Sequence, residues 1–439
     1  IIIYNKNYTK MKSVITCDME GIILTMNSGA EKIFGYQKHE LIGKQRVSLF
    51  SPGEIVLQNV ASWLDTASKK GEYSGKTIFI NKEGKKINAK ISITPTYSKD
   101  KNKVQNGYCG VTEVIDENVE VPISMTTKLI KLLAITRMPF TSASLLPIFL
   151  VASYFYSISA NSFSTINFFL CIVGVLFAHL STNMFNDYFD NIDGTDSGNY
   201  NYFQQVSGGS RAIELGLISI AKTKSSAISL IIIAVLFGII TLFNAYIDNI
   251  IPIAIITIIA LFLGYFYTAP PIRLVARNGL GEISIFTVFG PLMVLGTSFA
   301  IFNGNFLESS YFNDLLLLSL PIGLLTTNIL LINEFPDYEG DIKTSKNHLV
   351  VTFGKKNSCY IYLLNLIIIS LITFYSAITL NPILFLPLLF VLVYGSKITV
   401  HIFKNYNKRS LVTANWDTIK LHAGYCILSI ISFILNALL

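Results

Sequence analysis

Two stretches, Asn183-Met-Phe-Asn-Asp-Tyr-Phe-Asp190 and Asn333-Glu-Phe-Pro-Asp-Tyr-Glu-Gly-Asp341, each lie at the end of a long apolar run. On a helix, their spacings place three polar side chains on one face: Asn183, Asp187 and Asp190 in the first stretch, and Asn333, Asp337 and Asp341 in the second. Carboxylates at a membrane boundary are costly unless a cation occupies them. If the two faces meet, they form an oxygen-rich site for a hard cation such as Mg²⁺, which in turn attracts a diphosphate.

The chain of 439 residues is strongly apolar, with 51% hydrophobic and 14% charged residues and a mean hydropathy of +0.53. The apolarity is uneven. Residues 1–130 carry most of the charge, whereas residues 138–439 are mostly long Ile, Leu and Phe runs. This pattern predicts a polytopic membrane protein with a soluble N-terminal domain. The net charge of +7 is therefore no signal for nucleic-acid binding.

The five cysteines are scattered and show neither metal-ligand spacing nor a disulfide framework. We therefore expect a reducing, cytosolic environment for the soluble domain. A cleavable signal peptide is not expected, because Ile1–Ile3 is too short an apolar run. Met11 is a more natural start of the protein than Ile1, so residues 1–10 are interpreted as an extension.

Residues 12–121 alternate between strand and short-helix patterns. The expected elements are a hairpin, a capped helix and three later strands: Ser13–Cys17 with Gly21–Met26, then Asn27–Tyr36, then Gly75–Asn81, Lys85–Thr96 and Asn106–Thr112. Through DMEGIILTMNSGAEKIFGY, ELIGK, NKEGKKINAKISITP and GYCGVTEV, this segment resembles a PAS domain, a small α+β domain with an antiparallel sheet. Residues 122–136 are interpreted as a linker.

The resemblance to a PAS domain raises the question of a bound sensory ligand. Cys17 and Cys109 fall in predicted strands, where buried, inert thiols are common, and the helical cysteine motif of flavin photoreceptors is not found. His39 lies in a polar, exposed-looking segment and is a poor candidate for a haem ligand. No PAS cofactor is identifiable, so we expect an apo regulatory or dimerising module.

Nine apolar segments of the remaining chain are long enough to cross a bilayer: roughly 138–157, 163–185, 224–244, 249–268, 281–302, 313–333, 358–379, 381–402 and 418–438. Basic residues follow the even-numbered segments: Arg211, Lys222, Lys224, Arg273, Arg277, Lys343, Lys346, Lys355, Lys356, Lys404, Lys408 and Arg409. The alternate loops have no Lys or Arg. Since positive loops favour the cytoplasm, we predict a multi-pass cell-membrane protein with its N-terminal domain and both acidic stretches on the cytoplasmic side.

Residues 137–439 resemble the UbiA superfamily of intramembrane prenyltransferases. The resemblance lies in the two Asp-rich stretches on the second and sixth segments and in Tyr267-Thr-Ala-Pro-Pro-Ile-Arg273 after the fourth. It implies an all-α bundle of about nine transmembrane helices that binds Mg²⁺ and a polyprenyl diphosphate. It also implies roles for individual residues. The implied metal ligands, which are also catalytic, are Asp187, Asp190, Asp337 and Asp341. Tyr267 is implied to be catalytic near the prenyl diphosphate, and Arg137 to approach the acceptor. The implied diphosphate contacts are Asn183, Arg211, Arg273, Asn333, Lys343 and Lys346.

One departure from the superfamily indicates a branch. Ubiquinone-type enzymes carry another acid four residues after Asp190, where this chain has Gly194. Together with Ser207-Gly-Gly-Ser-Arg211, Gly279-Leu-Gly-Glu-Ile283 and Phe289-Gly-Pro291, this is more similar to the 1,4-dihydroxy-2-naphthoate prenyltransferases of menaquinone biosynthesis. An archaeal glyceryl ether lipid, chlorophyllide or homogentisate remains an alternative acceptor.

Two other classes of protein stay open from the residues alone. A PAS domain beside a membrane domain is typical of a sensory receptor, and intramembrane carboxylates also serve as ion sites in transporters. Transporter carboxylates usually lie near the middle of the membrane, whereas these lie at the ends of apolar segments. The sequence therefore favours an enzyme.

Overall fold

The computed structural model describes residues 11–99, 103–158, 163–194 and 209–439. Residues 1–10 and the first two residues of the Ser207-Gly-Gly-Ser-Arg211 stretch lie outside the described residues. The chain forms two compact units. An N-terminal unit comprises residues up to Ile135 together with Arg211–Ser219, and a helical unit comprises Thr136–Ser210 and Ile220–Leu439.

A five-stranded antiparallel sheet forms the centre of the N-terminal unit. Its strands are β1 Lys12–Asp18, β2 Ile23–Met26, β3 Tyr73–Ile80, β4 Lys86–Tyr97 and β5 Gln105–Val114, in the order β2-β1-β5-β4-β3. The side chains of β1 alternate between core and surface, as the period of two requires. At the β1–β2 turn, Oδ1 of Asp18 accepts hydrogen bonds from the backbone of Glu20 and Ile22. All five predicted strands are confirmed, with ends shifted by a few residues.

Helices pack on one face of this sheet. Helix α1, Ser28–Phe34, is capped by Asn27, whose side chain accepts a hydrogen bond from the backbone of Ala30, as predicted. Short helices at Lys38–Leu41 and Gly53–Ile55 precede α2, Ala61–Lys70. In the core, the ring of Phe34 from α1 stacks on that of Phe50, with centroids 4.2 Å apart. Most of the predicted linker is helical and forms α3, Met125–Thr136.

The helical unit contains eight helices long and apolar enough to cross a membrane within the described residues. They are α5 Thr165–Ile192, α6 Ile220–Phe243, α7 Ile247–Phe266, α8 Leu280–Ile301, α9 Tyr311–Lys343, α11 Lys355–Thr379, α12 Pro382–Asn405 and α13 Arg409–Leu438. The first predicted segment forms a shorter apolar helix, α4 Ser142–Ser157, which follows the 3₁₀ turn Met138–Thr141. A further short helix, α10 Leu349–Phe353, lies between α9 and α11. The predicted multi-helix architecture is confirmed.

The acidic stretches lie inside helices and not after them. Helix α5 continues to Ile192 and α9 continues to Lys343, although the sequence reading ended these apolar segments near residues 185 and 333. The continuation adds about two turns to α5 and about three turns to α9 beyond the apolar part. The helical facing assumed for Asp187 and Asp190, and for Asp337 and Asp341, is therefore realised in the backbone.

Close packing of α8 against α9 sets the depth of the residues at their ends. A Cβ atom on Gly290 of α8 would lie 2.8 Å from the backbone oxygen of Ser319, and one on Gly323 of α9 would lie 2.7 Å from that of Phe286. Only glycine leaves room for two backbones at such separations. This crossing brings the first turn of α8, which carries Glu282, beside the C-terminal part of α9, which carries Glu334.

Candidate active site

The first acidic stretch occupies the last two turns of α5. Asp187 is buried, and its Oδ1 accepts a hydrogen bond of 3.1 Å from the backbone of Ser210. Oδ2 of Asp190 lies 3.6 Å from Nζ of Lys346, while its buried Oδ1 has no hydrogen-bond partner. The helix ends shortly afterwards, at Ile192, and Gly194 follows with a φ of +81°, which favours glycine.

The second stretch lies on the last turns of α9 and is more enclosed. Asp341 is 2% exposed; its Oδ2 lies 3.0 Å from Nε2 of His348, and its Oδ1 is buried without a hydrogen-bond partner. Asp337, one turn earlier, is half-buried. After the helix, Ser345 adopts a φ of +55°, and the backbone N–H of Lys346 donates to the backbone oxygen of Asp341. This reversal returns Lys346 towards the acidic residues.

Lys346 joins the two stretches. It follows the second stretch in sequence, yet its ammonium group contacts Asp190 of the first. Asp190 also lies within electrostatic range of Asp187, Asp193 and Asp341. The sequence-based expectation that the two acidic faces meet therefore agrees with the geometry.

The segment after α7 contributes a tyrosine and an arginine to the same region. Arg273 pairs with Asp193 at 2.5 Å, and the hydroxyl of Thr268 donates to Asn186 at 2.9 Å. The hydroxyl of Tyr267 is buried without a hydrogen-bond partner. Burial, together with the charges of nearby carboxylates, raises the pKa of Tyr267 well above its usual value, so the group keeps its proton and can donate.

Four predicted residues have other surroundings. Arg211 belongs to the N-terminal unit, where it pairs with Glu214 at 2.9 Å. Lys343 is exposed on the last turn of α9. Oδ1 of Asn333 accepts a hydrogen bond from Asn415 on α13 at 2.8 Å, which indicates an orienting position for this side chain. Asn183 donates to the backbone oxygen of Thr136 at 3.1 Å.

An elongated apolar cavity of about 530 Å³ leads to the acidic region. Its lining follows α5 from Leu170 to Asn186, about 24 Å along the helix axis at 1.5 Å per residue. Side chains of α6, α7 and α8 form the other walls, which are mostly aliphatic and aromatic. Polar groups of Asn183, Asn186 and Tyr267 line the part of the cavity next to the acidic residues. The cavity is therefore suited to a long apolar chain with a polar head.

A second group of buried side chains was missed by the sequence reading. Nδ1 of His348 lies 3.2 Å from Oε2 of Glu334, and Oε1 of Glu282 accepts a 2.6 Å hydrogen bond from the backbone of Leu349. Burial disfavours a charged imidazole, but the carboxylates of Glu334 and Asp341 outweigh it and raise the pKa of His348 to about 10. No local motif marks this group, because its members come from three distant segments. The signals in the sequence were the position of Glu334 within the second stretch and that of Glu282 within Gly279-Leu-Gly-Glu-Ile283.

The donor set of the acidic region fits Mg²⁺. This ion prefers carboxylate and water oxygens, and four carboxylates are available on the facing turns of α5 and α9. Two of them, Asp190 and Asp341, each keep one buried oxygen without a hydrogen-bond partner. Such oxygens are unfavourable unless a cation or water satisfies them.

Comparisons with known proteins agree with this architecture. The sequence profile of the UbiA prenyltransferase family matches residues 144–420, and that of the PAS domain matches residues 11–114. The 1,4-dihydroxy-2-naphthoate octaprenyltransferase of Haemophilus influenzae is 28% identical over 213 residues, which cover 48% of this chain and 65% of that protein. The 2-carboxy-1,4-naphthoquinone phytyltransferase of Synechocystis sp. is 32% identical over 118 residues, covering 26% and 35%. The chain thus spans less than two thirds of the length of either relative.

Among solved structures, a UbiA homolog from Archaeoglobus fulgidus bound to DMAPP and Mg²⁺ is similar to this chain. The two are 16% identical with a TM-score of 0.49, and the match covers 68% of this chain and 99% of that one.

Proposed function

The chain belongs to the UbiA prenyltransferase family, and we propose that it transfers a polyprenyl group from a polyprenyl diphosphate to an aromatic acceptor, with Mg²⁺ as cofactor. One observation carries the proposal: Lys346 contacts Asp190 and so joins both acidic stretches beside the apolar cavity. A diphosphate with a long hydrocarbon tail matches this combination of an ion-binding region and an apolar tunnel.

Four carboxylates would hold the ion: Asp187, Asp190, Asp337 and Asp341. When bound, Mg²⁺ supplies positive charge that stabilises the departing diphosphate. The chain contributes further cations at the same place. Lys346 and Arg273 pair with carboxylates of the first stretch and its continuation, and both can turn their N–H groups to phosphate oxygens. The protonated hydroxyl of Tyr267 can donate another hydrogen bond.

The proposed reaction is an electrophilic substitution on an electron-rich ring. The allylic C–O bond breaks, its electron pair leaves with the diphosphate, and the ring attacks the allylic cation to form a C–C bond. The ring then loses a proton, or carbon dioxide where a carboxylate occupied that position. The apolar cavity excludes the water that would otherwise capture the cation.

We further propose a dihydroxynaphthoate as the acceptor, in quinone biosynthesis. Two relatives whose names specify naphthoate or naphthoquinone substrates support this choice. The backbone at Gly194 supports it as well, because a φ of +81° favours glycine over the acid that ubiquinone-type enzymes carry. A glyceryl ether lipid, chlorophyllide or homogentisate is the alternative acceptor.

Regulation by the N-terminal PAS domain completes the proposal. Helix α3 is tied to this domain by two contacts: Nζ of Lys131 lies 2.6 Å from Glu54, and the hydroxyl of Thr127 donates to Gln58 at 2.8 Å. The last residue of α3, Thr136, accepts the hydrogen bond from Asn183 described above. Pairing of two PAS domains in a dimer is a further expectation.

The proposal is tested with membranes that contain the full chain. They are incubated with Mg²⁺, a polyprenyl diphosphate and a panel of aromatic acids, and the products are identified by mass. We expect prenylated product and diphosphate from one acceptor class, with carbon dioxide release if that acceptor is a dihydroxynaphthoate. Asp187→Asn should lose the product, whereas Glu308→Gln, an exposed acid outside the acidic region, should keep it. Ion uptake into vesicles without diphosphate release would instead identify a transporter.

A further inference from the structure

We propose a second metal site, formed by Glu282, Glu334 and His348 and suited to a transition-metal ion of the Zn²⁺ class. It lies behind the candidate Mg²⁺ site and is distinct from it in residues and in donor type. Its ligands come from the first turn of α8, from α9 and from the residue that precedes α10. The inference goes beyond the proposed prenyl transfer and does not require it.

The three side chains converge in an enclosed space. One donor atom from each lies within 4.8 Å of the others. Glu282, Glu334 and His348 are only 3%, 5% and 1% exposed. Oε2 of Glu282 and Oε1 of Glu334 have no hydrogen-bond partner, and Oε2 of Glu334 contacts only His348. Buried carboxylate oxygens in this state are costly when charged, and a bound cation would offset that cost.

The orientation of the imidazole matches that of a metal ligand. A carboxylate only accepts, so Nε2–H of His348 donates to Asp341 at 3.0 Å, and Nδ1 is the ring nitrogen left to bind an ion. Histidines that bind metals usually donate their other ring N–H to a carboxylate in this way. Nδ1 lies 3.2 Å from Oε2 of Glu334, and the backbone N–H of Val351 points to the same nitrogen at 3.3 Å.

When no ion is bound, a proton on Nδ1 bridges His348 and Oε2 of Glu334 across the 3.2 Å between them, and a bound cation would replace this proton. Two ligands bound at about 2.0–2.1 Å in tetrahedral geometry would be ~3.3 Å apart, close to the observed separation. A proton on Nδ1 would satisfy Glu334 but would leave Glu282 with one oxygen unpartnered. A divalent cation balances the charges of Glu282 and Glu334 together.

The donor set selects the class of ion. One imidazole nitrogen with carboxylate oxygens suits Zn²⁺ and its neighbours in the first transition series, whereas Mg²⁺ prefers oxygen donors alone. An ion at this place would tie α8, α9 and the start of α10 together. It would also hold Asp341 through His348, since Asp341 is the hydrogen-bond acceptor of the metal-binding ring.

The test uses the full-length chain in detergent and Co²⁺ as the spectroscopic probe. The protein is stripped with a chelator selective for transition metals and titrated with Co²⁺ in excess Mg²⁺, which saturates the all-oxygen site. We expect one tightly bound Co²⁺ per chain, with a visible d–d spectrum and a paramagnetically shifted imidazole resonance. Asp341→Asn, which removes the partner of the ring N–H, should weaken Co²⁺ binding by roughly 10–100-fold.

Variants separate this site from other acidic residues. His348→Asn and Glu334→Gln should abolish the tight Co²⁺ signal, while Glu339→Gln, an exposed acid on α9, should retain it. Asp187→Asn, in the candidate Mg²⁺ site, should retain it too, even if prenyl transfer is lost. If His348→Asn does not fold, Glu282→Gln carries the test, because it removes one ligand and keeps an acceptor for Leu349. Absence of stoichiometric Co²⁺ binding in the wild type, or an unchanged spectrum in the folded His348 or Glu282 variant, overturns the proposal.

Discussion

The two acidic stretches are alike in sequence and differ in their surroundings. Asp190 of the first stretch faces a lysine from another segment, and Asp187 accepts from a loop backbone. Asp341 of the second stretch is bound to the buried His348, which also contacts Glu334, and one oxygen of Glu334 has no hydrogen-bond partner. The first stretch thus contacts a lysine that can turn to a substrate phosphate, whereas the second packs against the buried side chains of His348 and Glu282. Equal motifs do not imply equal roles.

The largest expected effect is loss of prenyl transfer on removal of a carboxylate from either stretch. Asp190→Asn and Asp337→Asn should each lower kcat/KM by about 10³-fold or more, because charge that develops on the departing diphosphate then lacks a counter-charge. Product formation in membranes at saturating Mg²⁺ measures the effect. Activity within a few-fold of wild type in either variant contradicts the assigned role.

The next prediction separates the two stretches by stability. Asp341→Asn should destabilise the folded helical unit by about 3 kcal/mol, since breaking one partner of a buried ion pair leaves the other uncompensated. Asp190→Asn should cost less, because Lys346 can reach water. Thermal unfolding of both variants in the same detergent provides the comparison. Equal shifts in Tm would remove the distinction between the two surroundings.

Two lysines after the second stretch provide a matched pair. Lys346→Met should raise the KM for the polyprenyl diphosphate by roughly 10–100-fold, the range for losing a charge-assisted hydrogen bond of about 1.5–3 kcal/mol. Lys343→Met should leave KM nearly unchanged, because Lys343 is exposed on the last turn of α9. Steady-state kinetics with varied diphosphate concentration would show the difference. A similar KM in both variants would place the diphosphate elsewhere.

A substitution that disturbs the packing of α8 against α9 should affect the buried group of Glu282, Glu334 and His348 and leave the first acidic stretch intact. Gly323→Ala places a Cβ 2.7 Å from the backbone oxygen of Phe286 and should destabilise the α8–α9 contact by about 1–3 kcal/mol. Gly238→Ala is a suitable control, since a Cβ there meets no atom within 4 Å. Thermal unfolding should show a lower Tm for the first variant only.

The smallest predicted effect concerns the PAS domain. Burial would raise the pKa of Glu54, but the hydrogen bond with Lys131, a backbone hydrogen bond and the charge of Lys131 together outweigh burial and lower the pKa below the usual 4.5. A lowered folded-state pKa stabilises the domain above pH 4.5, and this contribution is lost as pH falls through the lowered value. Because both side chains are about 30% exposed, the effect should be under 1 kcal/mol. Glu54→Gln should therefore speed amide exchange in α3 at neutral pH and match wild type at acidic pH.

Local patterns predicted most of the secondary structure. The strands of the N-terminal unit follow from alternation and turns, and Asn27 was identified as a cap because its side chain acts on its own segment. The apolar segments were also placed, and the helical spacing of the acidic stretches predicted that α5 and α9 continue beyond them. Hydropathy marks where the apolar environment ends, and hydrogen bonding carries α5 about two turns and α9 about three turns further.

The sequence by itself determined the helical faces that carry Asp187, Asp190, Asp337 and Asp341, because a helix fixes which residues share a side. It could not separate Lys346 from Lys343, since that difference depends on the backbone reversal at Ser345. Nor could it join Glu282, Glu334 and His348, which meet only because α8 packs closely against α9. Periodicity is local and readable along the chain. The partner of each buried charge is set by the packing of distant segments, and so only the tertiary structure decided it.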